Sequence, residues 1–282
     1  MNVLVFGKTG QVALELMQYE GVTCLGRDEA DLADAEACKA IILSTNADVV
    51  INAAAYTSVD LAENEYKAAM IVNADTPTLM AAASAERGIP FVHISTDYVF
   101  NGLSDLPFTP NDTPDPQSVY GKSKLAGERG VAASGAVYAI LRTSWVFSEN
   151  GANFVKTMLQ LASERDLVNI VSDQIGGPTP ASNIAASCIK IAKSLLNDPN
   201  LAGIYHLSGK PDVSWADFAR EIFYLSGLSI GVKNILTSDF PTLATRPLNS
   251  RLDCSTTHSA FGIERPDWRT SLVEVITELK QL

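Results

Sequence analysis

A short apolar run that stops at a glycine constrains this chain more than any other feature. Asn2-Val3-Leu4-Val5-Phe6 leads straight into Gly7-Lys8-Thr9-Gly10-Gln11-Val12-Ala13, after which Leu14, Leu16 and Met17 recur at helical spacing. An apolar strand without polar alternation is covered on both faces, the situation of a central strand in a parallel sheet. Glycines at GxxG spacing let the backbone turn sharply and approach a pyrophosphate, which then sits at the N-terminus of the following helix. A tight turn has the same glycines. The position between first strand and first helix is what favours a dinucleotide.

The strand–helix rhythm continues. A second strand, Thr23 to Leu25, ends at Gly26-Arg27-Asp28, and Asp31-Leu32 precedes a helix over residues 35–44. In a dinucleotide fold this strand end faces the adenosine ribose, where a carboxylate holds the 2′-hydroxyl and an arginine accommodates a 2′-phosphate. The third strand, Asp48-Val49-Val50-Ile51, runs into Asn52-Ala53-Ala54-Ala55-Tyr56-Thr57, whose small side chains leave room for a ligand against the backbone. Residues 65–87 read as helix, contain Asn73 and are interrupted only by Pro77. Phe91-Val92-His93-Ile94 is the fourth strand, and Ser95-Thr96-Asp97-Tyr98 at its carboxyl end faces the crevice where ligands bind. A loop over 105–118, a helix over 118–134 and a fifth strand over 137–141 complete an α/β pattern. It predicts a doubly wound parallel sheet with right-handed crossovers, a Rossmann fold.

After Arg142 the rhythm changes. Helices are expected over 154–164, 181–196 and 215–226, the last capped by Ser214, with a turn-rich loop over 173–180, a short strand over 204–207 and a closing helix to Leu282. This predicts a dinucleotide-binding domain over 1–150 and a smaller substrate-binding lobe over 151–282. About 181–207 is expected to return to the first domain.

Tyr120 and Lys124, four residues apart, share one face of the 118–134 helix. A lysine ammonium there favours the phenolate and draws the tyrosine's pKa from about 10 toward working pH, which suits proton transfer. The net charge of −11 argues against binding to nucleic acid or to an anionic membrane, both of which need basic surface. Four widely spaced cysteines read as buried thiols, and no apolar run approaches membrane-spanning length, so a cytoplasmic protein is expected.

Taken together, GxxGxxA after the first strand, NAAA after the third, Ser-Thr ending the fourth and YxxxK on the next helix resemble the extended short-chain dehydrogenase/reductase family. Within it, Ser95 to Gly102, Tyr120 to Glu128, Arg142-Thr143-Ser144-Trp145-Val146, Asp173-Gln174 with Gly177-Pro178-Thr179, and Arg246-Pro247 with Asn249-Ser250 are similar to the dTDP-4-dehydrorhamnose reductase family. The resemblance covers essentially the whole chain. It implies reduction of the 4-keto group of a dTDP-linked 6-deoxy sugar to give dTDP-L-rhamnose for cell-surface polysaccharide. NADPH is the expected cofactor, with NADH also used.

By that resemblance Thr96, Tyr120 and Lys124 are catalytic. Thr96, Asp97, Tyr98, Trp145, Gln174 and Arg246 bind the sugar nucleotide. Gly7, Lys8, Thr9, Gly10, Gln11, Val12, Arg27, Asp31, Leu32, Ala53, Ala54, Ala55, Tyr56, Thr57, Asn73, Tyr120 and Lys124 bind the cofactor. Some relatives dimerise around a divalent metal such as Mg2+. Glu15 is a candidate ligand, but Ala181-Ser182-Asn183 offers no second one, so no metal is assigned and monomer and homodimer both stay open. A 4-epimerase, a 4,6-dehydratase and a non-catalytic regulatory subunit remain alternatives, although Tyr98 stands where dehydratases carry a glutamate after the aspartate.

Overall fold

The computed structural model describes residues 1–281; Leu282, the expected end of the closing helix, lies outside the described residues. In chain order the strands are β1 (Val3–Phe6), β2 (Val22–Leu25), β3 (Val49–Asn52), β4 (Phe91–Thr96), β5 (Tyr138–Thr143), β6 (Val146–Phe147), β7 (Leu167–Val171), β8 (Ile175–Gly176), β9 (Thr179–Pro180), β10 (Gly203–Leu207), β11 (Val213–Ser214), β12 (Gly231–Ile235) and β13 (Asn249–Ser250). The helices are α1 (Gln11–Leu16), α2 (Ala35–Ser44), α3 (Val59–Ala62), α4 (Tyr66–Met70), α5 (Thr76–Arg87), α6 (Val119–Ala133), α7 (Phe154–Ala162), α8 (Ala181–Asn197), α9 (Trp215–Ser226), α10 (Ser255–Phe261) and α11 (Trp268–Leu279).

Six strands form one parallel sheet in the order β10-β5-β4-β3-β1-β2. Its residues alternate between two buried layers. Val3, Val5, Val49, Ile51, Val92, Ala139 and Leu141 pack with α1 and α8 on one face. Leu4, Phe6, Val50, Phe91 and Ile140 pack with α2, α5 and α6 on the other. Burial on both faces explains why these strands carry continuous apolar runs. The strand order reverses between β1 and β3, and the carboxyl ends of those two strands therefore border an open crevice.

A third core lies beyond the sheet. Phe147, Val155, Met158, Ile170, Phe218, Ile222, Trp268 and Leu272 bring α7, α9 and α11 against the parallel pair β7–β12. Ser214 caps α9, its hydroxyl accepting from the Asp217 N–H at 3.0 Å. Both β7 and β12 are additions to the pattern expected from sequence. The loop predicted over 173–180 is likewise partly strand, since β8 pairs with β11 and β13, and β9 with β6. Residues 65–87 also depart from expectation. Pro77 causes no break, because it occupies the first turn of α5, where its missing N–H has no partner to lose. The irregularity is a π-helical turn over Ile71–Asp75.

One buried ion pair ties α6 to the sheet. Arg142 on β5 donates from Nε to Glu128 Oε1 at 2.9 Å and from a terminal nitrogen to Oε2 at 2.6 Å, with both side chains excluded from solvent. The Arg142 guanidinium also lies 5.0 Å from the centre of the Phe100 ring. Removing one partner of such a pair leaves the other charge uncompensated. Glu128→Ala is therefore expected to destabilise the protein by about 3–5 kcal/mol, read as a lower urea midpoint at unchanged m value.

Candidate active site

The crevice opens as a cleft of about 790 Å³ that runs from the glycine loop to the apolar core beyond the sheet. At one end it shares Thr9, Gly10, Ala53, Ala54, Ala55 and Thr57 with a smaller cavity of about 320 Å³ bordered by Gly7, Lys8, Arg27, Asp31 and Leu32. At the other end it shares Tyr98, Phe154, Gln174, Trp215 and Arg246 with a third cavity of about 920 Å³. Gly7 has φ +116, and a Cβ there would come within 3.3 Å of the Ala53–Ala54 backbone. The loop can pass so close to β3 only because that residue is glycine. A Cβ on Gly10 would meet nothing within 4 Å.

Thr96, Tyr120 and Lys124 all line the central cleft, as do Asp97, Tyr98, Trp145, Gln174 and Arg246. The Thr96 hydroxyl accepts from the Tyr98 N–H at 3.2 Å and donates to Asp97 Oδ1 at 3.1 Å. Burial pushes the Asp97 carboxyl up to about 6, with the Thr96 hydrogen bond among the effects opposing. Three polar atoms that border the cleft are buried without a partner: Ser95 Oγ, Asp97 Oδ2 and Thr143 Oγ1. Buried polar groups are normally paired, so these three fit a polar ligand that completes them.

Tyr120 and Lys124 differ from expectation. Burial pushes the Tyr120 phenol well above its ordinary pKa, with the Thr96 hydrogen bond pulling the other way and Asp97 and Tyr98 adding to the rise. Lys124 does not offset this, because its Nζ is turned to the Ile94 carbonyl at 2.8 Å and to His93 Nε2 at 3.2 Å. Tyr120 is thus a neutral phenol here rather than a phenolate, a form suited to giving up a proton.

Several other positions are held in ways the sequence did not reveal. Lys8 pairs with Glu29 at 2.9 Å, so its charge adds little to a positive field at the ribose end. Arg27 is exposed and lies 3.9 Å from Asp31. Asn73 does not reach the cleft. Its amide accepts from the Tyr56 N–H at 2.8 Å and donates to the Tyr56 carbonyl and to Ser123 Oγ, each at 3.0 Å, which uses both of its N–H donors. The Tyr56 ring also points elsewhere, its hydroxyl donating to Glu65 at 2.8 Å. Gln11 and Val12 do line the cleft, and Gln11 Oε1 accepts from Ser148 Oγ at 3.1 Å and Asn153 Nδ2 at 3.0 Å. Arg246 donates to the Tyr98 hydroxyl at 3.0 Å and pairs with Asp60.

Trp215 was not singled out from sequence. Its ring stacks on Trp145 with centroids 3.5 Å apart and interplanar angle 9°. Trp145 is the one non-glycine residue with positive φ among the described residues, at φ 50, a conformation that costs of order 1–3 kcal/mol and concentrates at functional sites. A tryptophan directly after the Ser214 cap was the available signal, but core packing is the commoner role for such a residue.

The profile described as RmlD substrate binding domain matches residues 1–281. The chain belongs to this family. It is 42% identical over 289 residues to the dTDP-4-dehydrorhamnose reductase of Sinorhizobium fredii, covering 99% of this chain and 98% of that protein. The crystal structure of a dTDP-4-dehydrorhamnose reductase from Clostridium acetobutylicum superposes with TM-score 0.92 at 37% identity, covering 99% and 100% of the two chains. The Bacillus anthracis dTDP-4-dehydrorhamnose reductase, solved in complex with NADP, superposes with TM-score 0.90 at 32% identity and the same coverage. Family membership accords with the doubly wound fold, and no helix among the described residues is long and apolar enough to cross a membrane.

Glu15 has acidic neighbours outside the Ala181-Ser182-Asn183 segment. Burial and the adjacent Glu149, with a smaller contribution from Glu278, push its carboxyl up to about 7. Among the described residues no three His, Cys, Asp or Glu side chains are grouped to hold a metal ion. Because the folded pKa lies above the unfolded one, the favourable contribution of Glu15 is complete below about pH 4.5 and is lost as pH rises through about 7. Glu15→Gln is therefore expected to raise Tm at about pH 8 and to change it little at about pH 5, as a pair of calorimetric scans would show.

Proposed function

We propose that this protein is an NAD(P)H-dependent dTDP-4-dehydrorhamnose reductase, reducing the 4-keto group of dTDP-4-dehydro-6-deoxy-L-mannose to give dTDP-L-rhamnose. The observation that carries this is one cleft that combines Thr96, Tyr120 and Lys124 with three unpartnered polar atoms, in a chain alike over its whole length to reductases of that name. The glycine loop, the open space at Gly10 and the small Ala53-Ala54-Ala55 edge fit a dinucleotide. The nicotinamide cofactor, when bound, supplies the hydride. Tyr120 holds the proton that the carbonyl oxygen needs as it gains negative charge, and its raised pKa keeps that proton in place until then. The Thr96 hydroxyl, turning its one proton from Asp97 Oδ1, donates a hydrogen bond to the same oxygen, where developing charge makes the bond worth most. Lys124 holds the cofactor ribose from the turn after Tyr120.

Trp145 and Trp215 form an aromatic wall between the central cleft and the 920 Å³ cavity, which would take the nucleotide of the sugar nucleotide. The direct test is a coupled assay in which dTDP-glucose, its dehydratase and its epimerase generate the substrate. Loss of NADPH absorbance with formation of dTDP-rhamnose supports the proposal, and no turnover would sink it.

Tyr120→Phe should retain cofactor binding while turnover falls by at least about a hundredfold, the usual scale for losing a general acid. A Phe variant with near-normal kcat would remove Tyr120 from the chemistry. NADPH should give the higher kcat/KM, with Arg27 meeting the 2′-phosphate. Its exposure and its pairing with Asp31 limit its contribution, so Arg27→Ala should narrow the NADPH-over-NADH ratio by roughly fivefold. An unchanged ratio means that Arg27 has no part in cofactor choice.

A further inference from the structure

Behind Lys124 lies a chain of buried polar groups that the proposed reaction does not use. The Ala54 N–H, at the edge of the cleft, donates to Asn52 Oδ1 at 3.2 Å. Asn52 Nδ2 lies 3.2 Å from His93 Nδ1, and His93 Nε2 lies 3.2 Å from Lys124 Nζ. Lys124 Nζ in turn donates to the Ile94 carbonyl at 2.8 Å. Asn52 and His93 are wholly buried and Lys124 almost so, which leaves no water to rescue a mismatched contact.

The proton positions in this chain follow from its first member. A backbone N–H can only donate, so the Asn52 amide must present its oxygen to Ala54 and its NH2 to His93. The facing Nδ1 must then accept. A neutral imidazole carries one N–H, which must sit on Nε2 and donate to Lys124. An ammonium has no lone pair with which to accept it. A charged lysine would set donor against donor, whereas a neutral amine accepts from His93, donates to Ile94 and keeps one N–H for the cleft.

We propose that Asn52 and His93 form a one-way hydrogen-bond relay that favours the neutral amine of Lys124 over its ammonium in the ligand-free protein, so that the charge state of Lys124 is set from the end of β3. His93 and Asn52 act through Lys124 and are positioning residues. The groups that face Lys124 are consistent with this. Burial draws its ammonium down to about 8 against the opposing charge of Glu128, whose two oxygens are already taken by Arg142 from β5. His93, from β4, is itself held well below its ordinary pKa, chiefly by burial, so it stays neutral. Tyr120, one turn earlier on α6, is a protonated phenol, and the Asp97 charge acts on that phenol. Ligand binding can therefore change the charge of Lys124 only by disturbing the relay or by providing a new anion.

The test uses ligand-free protein and does not depend on the reaction. The chain has three histidines, and His206 donates from Nδ1 to the Phe108 carbonyl at 3.0 Å, so its tautomer is the opposite one. Long-range proton–nitrogen NMR at about pH 9, above the Lys124 pKa, should find the His93 ring as the Nε2–H tautomer. An Nδ1–H or doubly protonated His93 overturns the relay. Asn52→Asp supplies an acceptor to Nδ1, which should reverse the tautomer and move the Lys124 titration, followed at its labelled Cε, upward by about one pH unit or more. An unmoved Lys124 titration in a folded Asn52→Asp protein also overturns it. If that variant does not fold, the wild-type tautomer decides alone. NADPH turnover in the coupled assay reports separately on the reductase proposal, which survives failure of the relay.

Discussion

Arg142 and Glu128 meet where neither has water as an alternative, and much of the site's geometry hangs on that meeting. Arg142 stands on β5 and Glu128 one turn beyond Lys124 on α6, so the pair fixes how far α6 can slide or rotate against the sheet. The guanidinium also reaches His206 on β10 and the face of Phe100. Because His206 donates in turn to the Phe108 carbonyl, the loop before α6 is held to the same anchor. Buried ion pairs are poor sources of net stability but tolerate few alternative geometries. Here the geometry retained is the placement of Tyr120 and Lys124 at the carboxyl end of β4.

The parallel sheet was legible in the sequence for a physical reason. A strand buried on both faces has no polar positions to confuse its pattern, and Val3–Phe6, Val49–Ile51 and Phe91–Ile94 all read plainly. Glycine-loop spacing and the strand-end position of Thr96 were legible on the same grounds, since they follow from where a strand must stop. By contrast, β7 and β12 pair in parallel across more than sixty residues. Neither segment carries a local sign of the other, and half of each faces solvent.

What remained hidden in the site was mostly a matter of partners. The Tyr120–Lys124 spacing was read as a charged pair because the helix brings them together. The lysine's real neighbours, His93 and Ile94, come from a strand thirty residues earlier. Asn73 reads as a ligand residue until its amide is seen to be spent on Tyr56 and Ser123, a contact made where the π-helical turn widens the helix. Glu15 drew attention as a possible ligand, while Glu149, its neighbour, lies in a loop that follows β6, far along the chain.

That same loop meets Gln11, whose side-chain oxygen accepts from both Ser148 and Asn153. Gln11 opens the first helix beside the glycine loop, and Asn153 caps α7, the helix that carries Phe154 toward the aromatic wall. Two-part enzymes of this architecture invite treatment as interchangeable modules, with one part read as a socket and the other as a selectable tool. A shared amide at the seam makes this chain a poor candidate for such recombination. Transplanting its later half onto a foreign nucleotide-binding half would leave Asn153 without the Gln11 oxygen that it meets here.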